Sequence, residues 1–398
     1  MVTVGSNRTP SNSSDVSGST SPGECQSGSE NGNLMYMLKN CLIISKDVVN
    51  RSMCNENIKY CGFENRSNNC YCNVVLQSLY SSHDFRTRMI RLKKIGTGIS
   101  GELGKLYSKC VAANGIVIYI FSGFYDVIEI QSPKSFLKKV CSTNDDFVLG
   151  DQQDAHEFLT YIINLMIDEI RELEDDYLRP KSQSLKNTGK RKTEKRTWLN
   201  ELVEGFVKSE TRCHECKNVT GIMEPFITIS LDINDNCDIN SCLERYCDAE
   251  LLTGKDQFFC DTCNKYCDAS KKVVFDLMPP LLILHLKRFK YNVQAGNNQK
   301  DIYSAFERLP YSVISRNIIK IKCQRHTHPI VYELFSVILH IGTSPHYGHY
   351  INISRMGEQW FKCDDTSIHK LHNFHQDVGD EHSSGSDGSY ILFYRIKE

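Results

Sequence analysis

The chain has 398 residues, a mass of 45.6 kDa and a formal net charge of -1, from 47 basic and 48 acidic residues. That balance excludes the strongly basic profile of a dedicated nucleic-acid binder, and the 40% hydrophobic content is enough for a sizeable core. The longest apolar runs, around 115–121 and 281–286, fall far short of the ~20 residues a membrane span needs, so no membrane partner is expected.

Residues 1 to about 34 are mostly Ser, Gly, Asn, Thr and Pro. They cannot bury enough apolar surface to offset the entropy of ordering, while 35–61 hold apolar positions without a clear period; 1–59 is expected to be a disordered or weakly ordered extension. It shows no apolar block behind a basic start, and a secretory signal is not expected. The 18 cysteines of so long a chain then read as reduced thiols, metal ligands and a possible nucleophile rather than a disulfide framework. Sequons at Asn65 and Asn352 lie inside motifs described below, where a glycan would obstruct them.

The folded region is expected from about residue 60. The segment 62–80, GFENRSNNCYCNVVLQSLY, puts Cys70 at the start of a helix whose apolar positions are Val75, Leu76, Leu79 and Tyr80. A helix N-terminus carries about +0.5 charge, which favours thiolate, the attacking form. Its free N–H groups can also receive an oxyanion, with a nearby Asn adding a donor. In 154–170, Ala155, Phe158, Leu159, Ile162, Ile163, Met166, Ile167 and Ile170 alternate by three and four, the pattern of a helix with one buried face. Residues 179–196 read as a solvated basic loop, whose end at Lys190–Arg196 also fits a nuclear-localisation patch.

Two C-x-x-C pairs follow, Cys213/Cys216 and Cys260/Cys263, with 43 residues (217–259) between them. Two such knuckles supply four thiolates to a tetrahedral Zn²⁺. Four thiolates close the coordination shell, so the metal is structural. His214 and Cys267 are possible substitute ligands. Farther on, 281–289, 332–341, 349–354 and 390–395 are β-branched, aromatic and aliphatic runs bounded by turn residues. Helices first and strands after imply an α+β architecture. His349 follows a loop of small residues. Asp364 and Asp365 come fifteen and sixteen residues later (364 and 365 less 349), where an adjacent strand would bring a carboxylate to the imidazole.

In combination these motifs resemble the ubiquitin-specific protease family. The 62–80 segment resembles its cysteine box, DQQDAHEFL (151–159) its acidic helix motif, the two C-x-x-C pairs its zinc-ribbon fingers, and GHYINI with WFKCDD its histidine box. The stretch from Thr197 to Cys216 and the YILFY ending look closest to a compact subgroup whose fingers bind a WD-repeat activator. The resemblance implies a papain-like thumb (60–178), a basic loop (179–197), fingers (198–280) and a palm (281–398). It implies Cys70 as nucleophile, His349 as general base, Asp364 as its orienter, Asp365 as an assisting acid and Asn65 as the oxyanion-hole amide. It gives Asp154 and Glu157 the basic tail of ubiquitin to bind. The activity implied is hydrolysis of the bond after ubiquitin's C-terminal Gly through a thioester, in the cytoplasm or nucleus. A catalytically silent ubiquitin-binding scaffold, or a protease for another ubiquitin-like modifier, are the alternatives. The run Ser67-Asn68-Asn69 departs from the family's Gly-Asn-Thr, and a positive φ at 67 would be strained for Ser.

Overall fold

The computed structural model describes residues 60–96, 98–112, 119–120, 123–124, 129–178, 196–234, 237–291, 306–309, 313–314, 316–344, 347–372 and 387–397. The expected extension 1–59 and the basic patch 190–195 lie outside the described residues.

The fold is α+β. Helices Cys70–Ser81, His83–Leu92, Ile99–Ala112, Lys134–Cys141 and Ala155–Leu178 come first. The second of the two expected helices runs on past the predicted 170 to Leu178. Every apolar position of its predicted stripe is buried in one core. The helix Cys70–Ser81 is buried along its whole length, wedged between the other helices and a large sheet.

That sheet has eight strands. Its order is Ser367–Leu371, Gln359–Asp364, Tyr347–Met356, Ile330–Ser344, Asp387–Ile396, Leu281–Lys287 and Thr228–Asp232, with Ile318–Ile321 also paired to Ile330–Ser344. Both faces are covered, which is why its strands read as near-continuous apolar runs. Leu281 and Ile283 face the helical core, while Leu282, Leu284 and Leu286 face a second core on the other side. Thr228–Asp232 falls in the stretch expected to build fingers. It instead pairs in parallel with Leu281–Lys287, at the edge of the large sheet.

The fingers are a separate four-stranded sheet in the order Val219–Phe226, Gly205–Cys213, Ala269–Leu277 and Glu250–Leu252. The helix Trp198–Val203 leading into them packs in the helical core. Thr197 caps it with a reciprocal capping box to Asn200. Among the described residues, no helix is long and apolar enough to cross a membrane.

Candidate active site

The first residue of the central helix is Cys70, and it is 4% exposed. The helix begins there because Asn69 leaves helical geometry, with φ -96° and ψ 23°. The amides of Cys72 and Asn73 bond back to the Asn69 carbonyl. Those of Cys70 and Tyr71 have no acceptor within the helix, as at any helix start.

His349 lies in the strand Tyr347–Met356, and Asp364 ends the neighbouring strand Gln359–Asp364. The expected strand pairing is present. His349 Nε2 and Asp364 Oδ1 are 2.7 Å apart. With Nε2 on the carboxylate, Nδ1 is the ring nitrogen left for a second partner. The Asp364 carboxylate and then the Cys70 thiol hold the imidazolium, pushing the His349 pKa up to about 10. The bond from His349 in turn lowers the Asp364 carboxyl. The structure thus brings Cys70, His349 and Asp364 together.

Asp365 brings a carboxylate oxygen within 4.8 Å of the His349 ring and the Asp364 carboxylate, but its hydrogen bonds run to other partners. Its φ is +50°, a left-handed turn that Asp tolerates. Its Oδ2 accepts from Asn65 Nδ2 at 2.7 Å, its Oδ1 from Asn73 Nδ2 at 2.7 Å, and its carbonyl from the Phe63 amide at 2.8 Å. Asn65 Oδ1 then accepts from the Asn69 amide at 3.0 Å. Asn65 is therefore oriented from both sides, in the segment that leads to the thiol. The left-handed residue of the departing run is Asn68, at φ +51°, so Ser67 avoids the strain that a positive φ would bring there. Asn68 Nδ2 donates to the Gly150 carbonyl at 2.9 Å. Asn73 and Gln152 were missed by sequence reasoning. Gln152 Oε1 accepts from the Gly348 amide at 3.0 Å, bridging the acidic motif to the backbone next to His349. Both lie inside the quoted motifs, but nothing in their spacing marked them.

Asp154 is placed differently from the open helix face expected of it. It precedes the helix Ala155–Leu178 and is 8% exposed. Its Oδ1 accepts from the amides of His156 and Glu157 at 2.8 and 2.9 Å, as an N-cap does. Its Oδ2 receives the hydroxyl of Tyr390 and, at 3.5 Å, that of Tyr350. Its oxygens are occupied, whereas Glu157 in the first turn is exposed.

The four expected cysteines converge at the fingertip. The sulfurs of Cys213, Cys216, Cys260 and Cys263 all lie within 4.8 Å of one another. Two of the separations are 4.0 Å (Cys213 to Cys263) and 3.6 Å (Cys216 to Cys260). A tetrahedral ion with Zn–S of ~2.3 Å needs sulfurs ~3.8 Å apart, so the set fits zinc. Each knuckle closes with a left-handed residue after its second Cys, Lys217 at φ +63° and Asn264 at φ +51°. Amides of Cys216 and Glu215 point at the Cys213 sulfur and lower its thiol to about 6. Cys267 is buried beside the cluster and shares a second grouping with Glu215 and Cys263; His214 is in neither.

A family model described as "UCH: Ubiquitin carboxyl-terminal hydrolase" matches residues 61–394. "Ubiquitin carboxyl-terminal hydrolase 4" of Arabidopsis thaliana is 32% identical over 362 residues, 85% of this chain and 94% of the relative. "Ubiquitin carboxyl-terminal hydrolase 12" of Salmo salar is 29% identical over 352 residues, 86% of this chain and 91% of the relative. The "Structure of the SAGA Ubp8/Sgf11/Sus1/Sgf73 DUB module bound to ubiquitin aldehyde" superposes with a TM-score of 0.63 at 22% identity, over 85% of this chain and 70% of that one. A structure of the same module bound to monoubiquitin gives 0.64 at 23%. At that identity these structures speak to the fold.

Proposed function

The chain belongs to the ubiquitin carboxyl-terminal hydrolase family and is a thiol-dependent deubiquitinase; we propose that Cys70 is its nucleophile, His349 its general base and acid, and Asp364 the residue that orients the imidazole. The observation that carries this assignment is the His349–Asp364 bond of 2.7 Å beside a thiol at a helix start. The Cys70 thiolate adds to the carbonyl carbon after the last Gly of ubiquitin. The oxyanion is received by the amides at the helix start and by Asn65. An Asn amide nitrogen carries two hydrogens, so one remains to donate beyond the Asp365 bond. His349 hands a proton to the departing lysine amine, leaving a thioester. It then takes a proton from the water that releases ubiquitin. Asp365 assists by holding Asn65.

The four-cysteine cluster would hold Zn²⁺ in a structural role, with no part in this chemistry. Ubiquitin and ubiquitinated proteins are the proposed partners; solved relatives bind ubiquitin aldehyde and monoubiquitin. Exposed Glu157 is the proposed contact for ubiquitin's basic tail, with Asp154 shaping the loop from beneath. A WD-repeat activator on the fingers is proposed from the subgroup resemblance. Val219 and Met223, which are 48% and 43% exposed and share one face of the strand Val219–Phe226, offer it an apolar surface. A thiol nucleophile and a thiolate metal site suit the reducing cytoplasm or nucleus.

The test is release of a fluorophore from the C-terminus of ubiquitin by wild type and by Cys70→Ala. Wild-type turnover with none in the variant supports the assignment. Equal turnover in both refutes it. Turnover only with another ubiquitin-like modifier would move the substrate assignment.

A further inference from the structure

We propose that four fully buried polar side chains, Ser78, Ser336, Asn352 and Ser354, form a positioning device that fixes the helix of Cys70 against the strand of His349. Ser78 lies on the helix Cys70–Ser81, Asn352 and Ser354 on the strand Tyr347–Met356, and Ser336 on Ile330–Ser344. All four are 0% exposed. Ser336 stands directly opposite Ser354 in the strand pairing.

The cluster is closed. Asn352 Nδ2 donates to Ser78 Oγ at 2.8 Å and to Ser336 Oγ at 2.9 Å. Asn352 Oδ1 accepts from Ser354 Oγ at 2.7 Å. Ser78 Oγ donates onward to the Val74 carbonyl at 2.9 Å, so its oxygen is an acceptor for both strands. Ser336 Oγ is 3.0 Å from Ser78 Oγ and 2.7 Å from Ser354 Oγ, and donates to one of them. Every hydroxyl and amide hydrogen has an acceptor.

Such a cluster is not needed for stability. Apolar residues of similar shape in place of a buried polar set are often neutral or better, while half a set costs free energy. Hydrogen bonds do supply direction. Apolar contacts between a helix and a sheet tolerate small slides, and a closed network does not. Its placement is what matters here. Asn73, nearer the thiol, is tied to Asp365 at 2.7 Å. Ser78, one to two turns farther along the same helix, is tied to Asn352, three residues beyond His349. Two tethers on one helix block both its rotation and its sliding relative to the strands of His349 and Asp364. Misplacement of ~1 Å between reacting groups can lower a rate ~100-fold.

This inference rests on Cys70 and His349 being the reacting pair, and a Cys70→Ala control reads that assignment separately. The test compares Ser78→Ala, which cuts the bonds between helix and strands, with Ser354→Ala, which leaves the bonds of Ser78 to Asn352 and Ser336 in place. Both remove one buried hydroxyl. The readouts are kcat and KM on fluorogenic ubiquitin, melting temperature, and the pH profile of alkylation of the Cys70 thiol. We expect both variants to melt lower. In Ser78→Ala alone, kcat falls about tenfold with KM within about twofold, and Cys70 alkylates more slowly across the profile. A fourfold variant, Ser78→Ala/Ser336→Ala/Asn352→Leu/Ser354→Ala, should regain melting temperature while kcat stays low. If Ser78→Ala and Ser354→Ala lose kcat equally, or neither loses it, or the fourfold variant recovers kcat along with stability, the cluster is packing alone and the proposal is overturned.

Discussion

Asn73 and Asp365 are 292 residues apart in the chain, and Asn73 Nδ2 donates to Asp365 Oδ1 across 2.7 Å. The same carboxylate holds Asn65 through its other oxygen, at 2.7 Å. One residue on the histidine side of the cleft therefore sets the segment that precedes the thiol. Asn65→Ala should lower kcat about 100-fold with little change in KM, the usual consequence of losing an oxyanion donor. Asp365→Ala should lower kcat less, and also destabilise the fold by about 1–3 kcal/mol, because it strips the acceptor from the buried Asn73 amide. Steady-state kinetics and chemical denaturation of the two variants check both parts. Equal losses of kcat would assign Asp365 a direct role.

The pH dependence follows from the Asp364 bond. The folded His349 pKa is raised to about 10, chiefly by that bond and then by Cys70. Its ordinary value is near 6.5. A group with a raised folded pKa contributes stability fully below its unfolded value, and loses it as pH rises through the folded one. The His349 contribution should thus be intact below ~6.5 and fade toward 10. In Asp364→Asn the imidazole resonances should titrate nearer the ordinary value, and the alkaline loss of melting temperature over that window should shrink. NMR titration of His349 in both proteins measures this. Unchanged titration would remove Asp364 as the orienter.

Metal removal should separate fold from chemistry. Cys213→Ser, or a strong chelator, should release zinc, lower the melting temperature and weaken ubiquitin binding. The rate of Cys70 alkylation should stay close to that of the untreated protein, because the cluster lies in the fingers. Metal analysis, calorimetry and alkylation kinetics read the three effects. A variant with normal stability and ubiquitin affinity would refute the zinc site.

Asp154 and Glu157 should behave differently despite sharing a motif. Asp154→Ala should cost about 1 kcal/mol as a lost N-cap, and more because two tyrosine hydroxyls lose an acceptor. Glu157→Ala should leave stability unchanged within error and raise KM, since the side chain is exposed. Melting curves beside kinetics distinguish them. A raised KM from Asp154→Ala without loss of stability would restore its expected role.

Much of this was legible in the sequence because it is local. The three-and-four spacing from Ala155 to Ile170 describes one helix face, and all of it is buried. Two C-x-x-C spacings each describe one knuckle, and the knuckles meet. His349 and Asp364 were legible through a single strand pairing. What escaped depends on distant pieces meeting. Asp154 looked like an exposed acid because Tyr350 and Tyr390, which cover it, lie far along the chain. The clamp by Asp365 and the polar cluster at Ser78 join the first helix to the last strands. Strand alternation was blurred too, by irregularities between Leu334 and Ser336 and between Ile338 and Leu339. A positive φ at Ser67 would be strained, but the turn places the left-handed residue one position later, at Asn68.

The central claim is that Cys70, activated by His349, attacks the C-terminal carbonyl of ubiquitin. The most direct measurement is labelling with ubiquitin bearing an electrophile in place of its last Gly, followed by mass mapping of the adduct, in wild type and Cys70→Ala. The account predicts one adduct in wild type, on Cys70, and none in the variant. An adduct on another cysteine, or an unlabelled wild type that still binds ubiquitin, would contradict it.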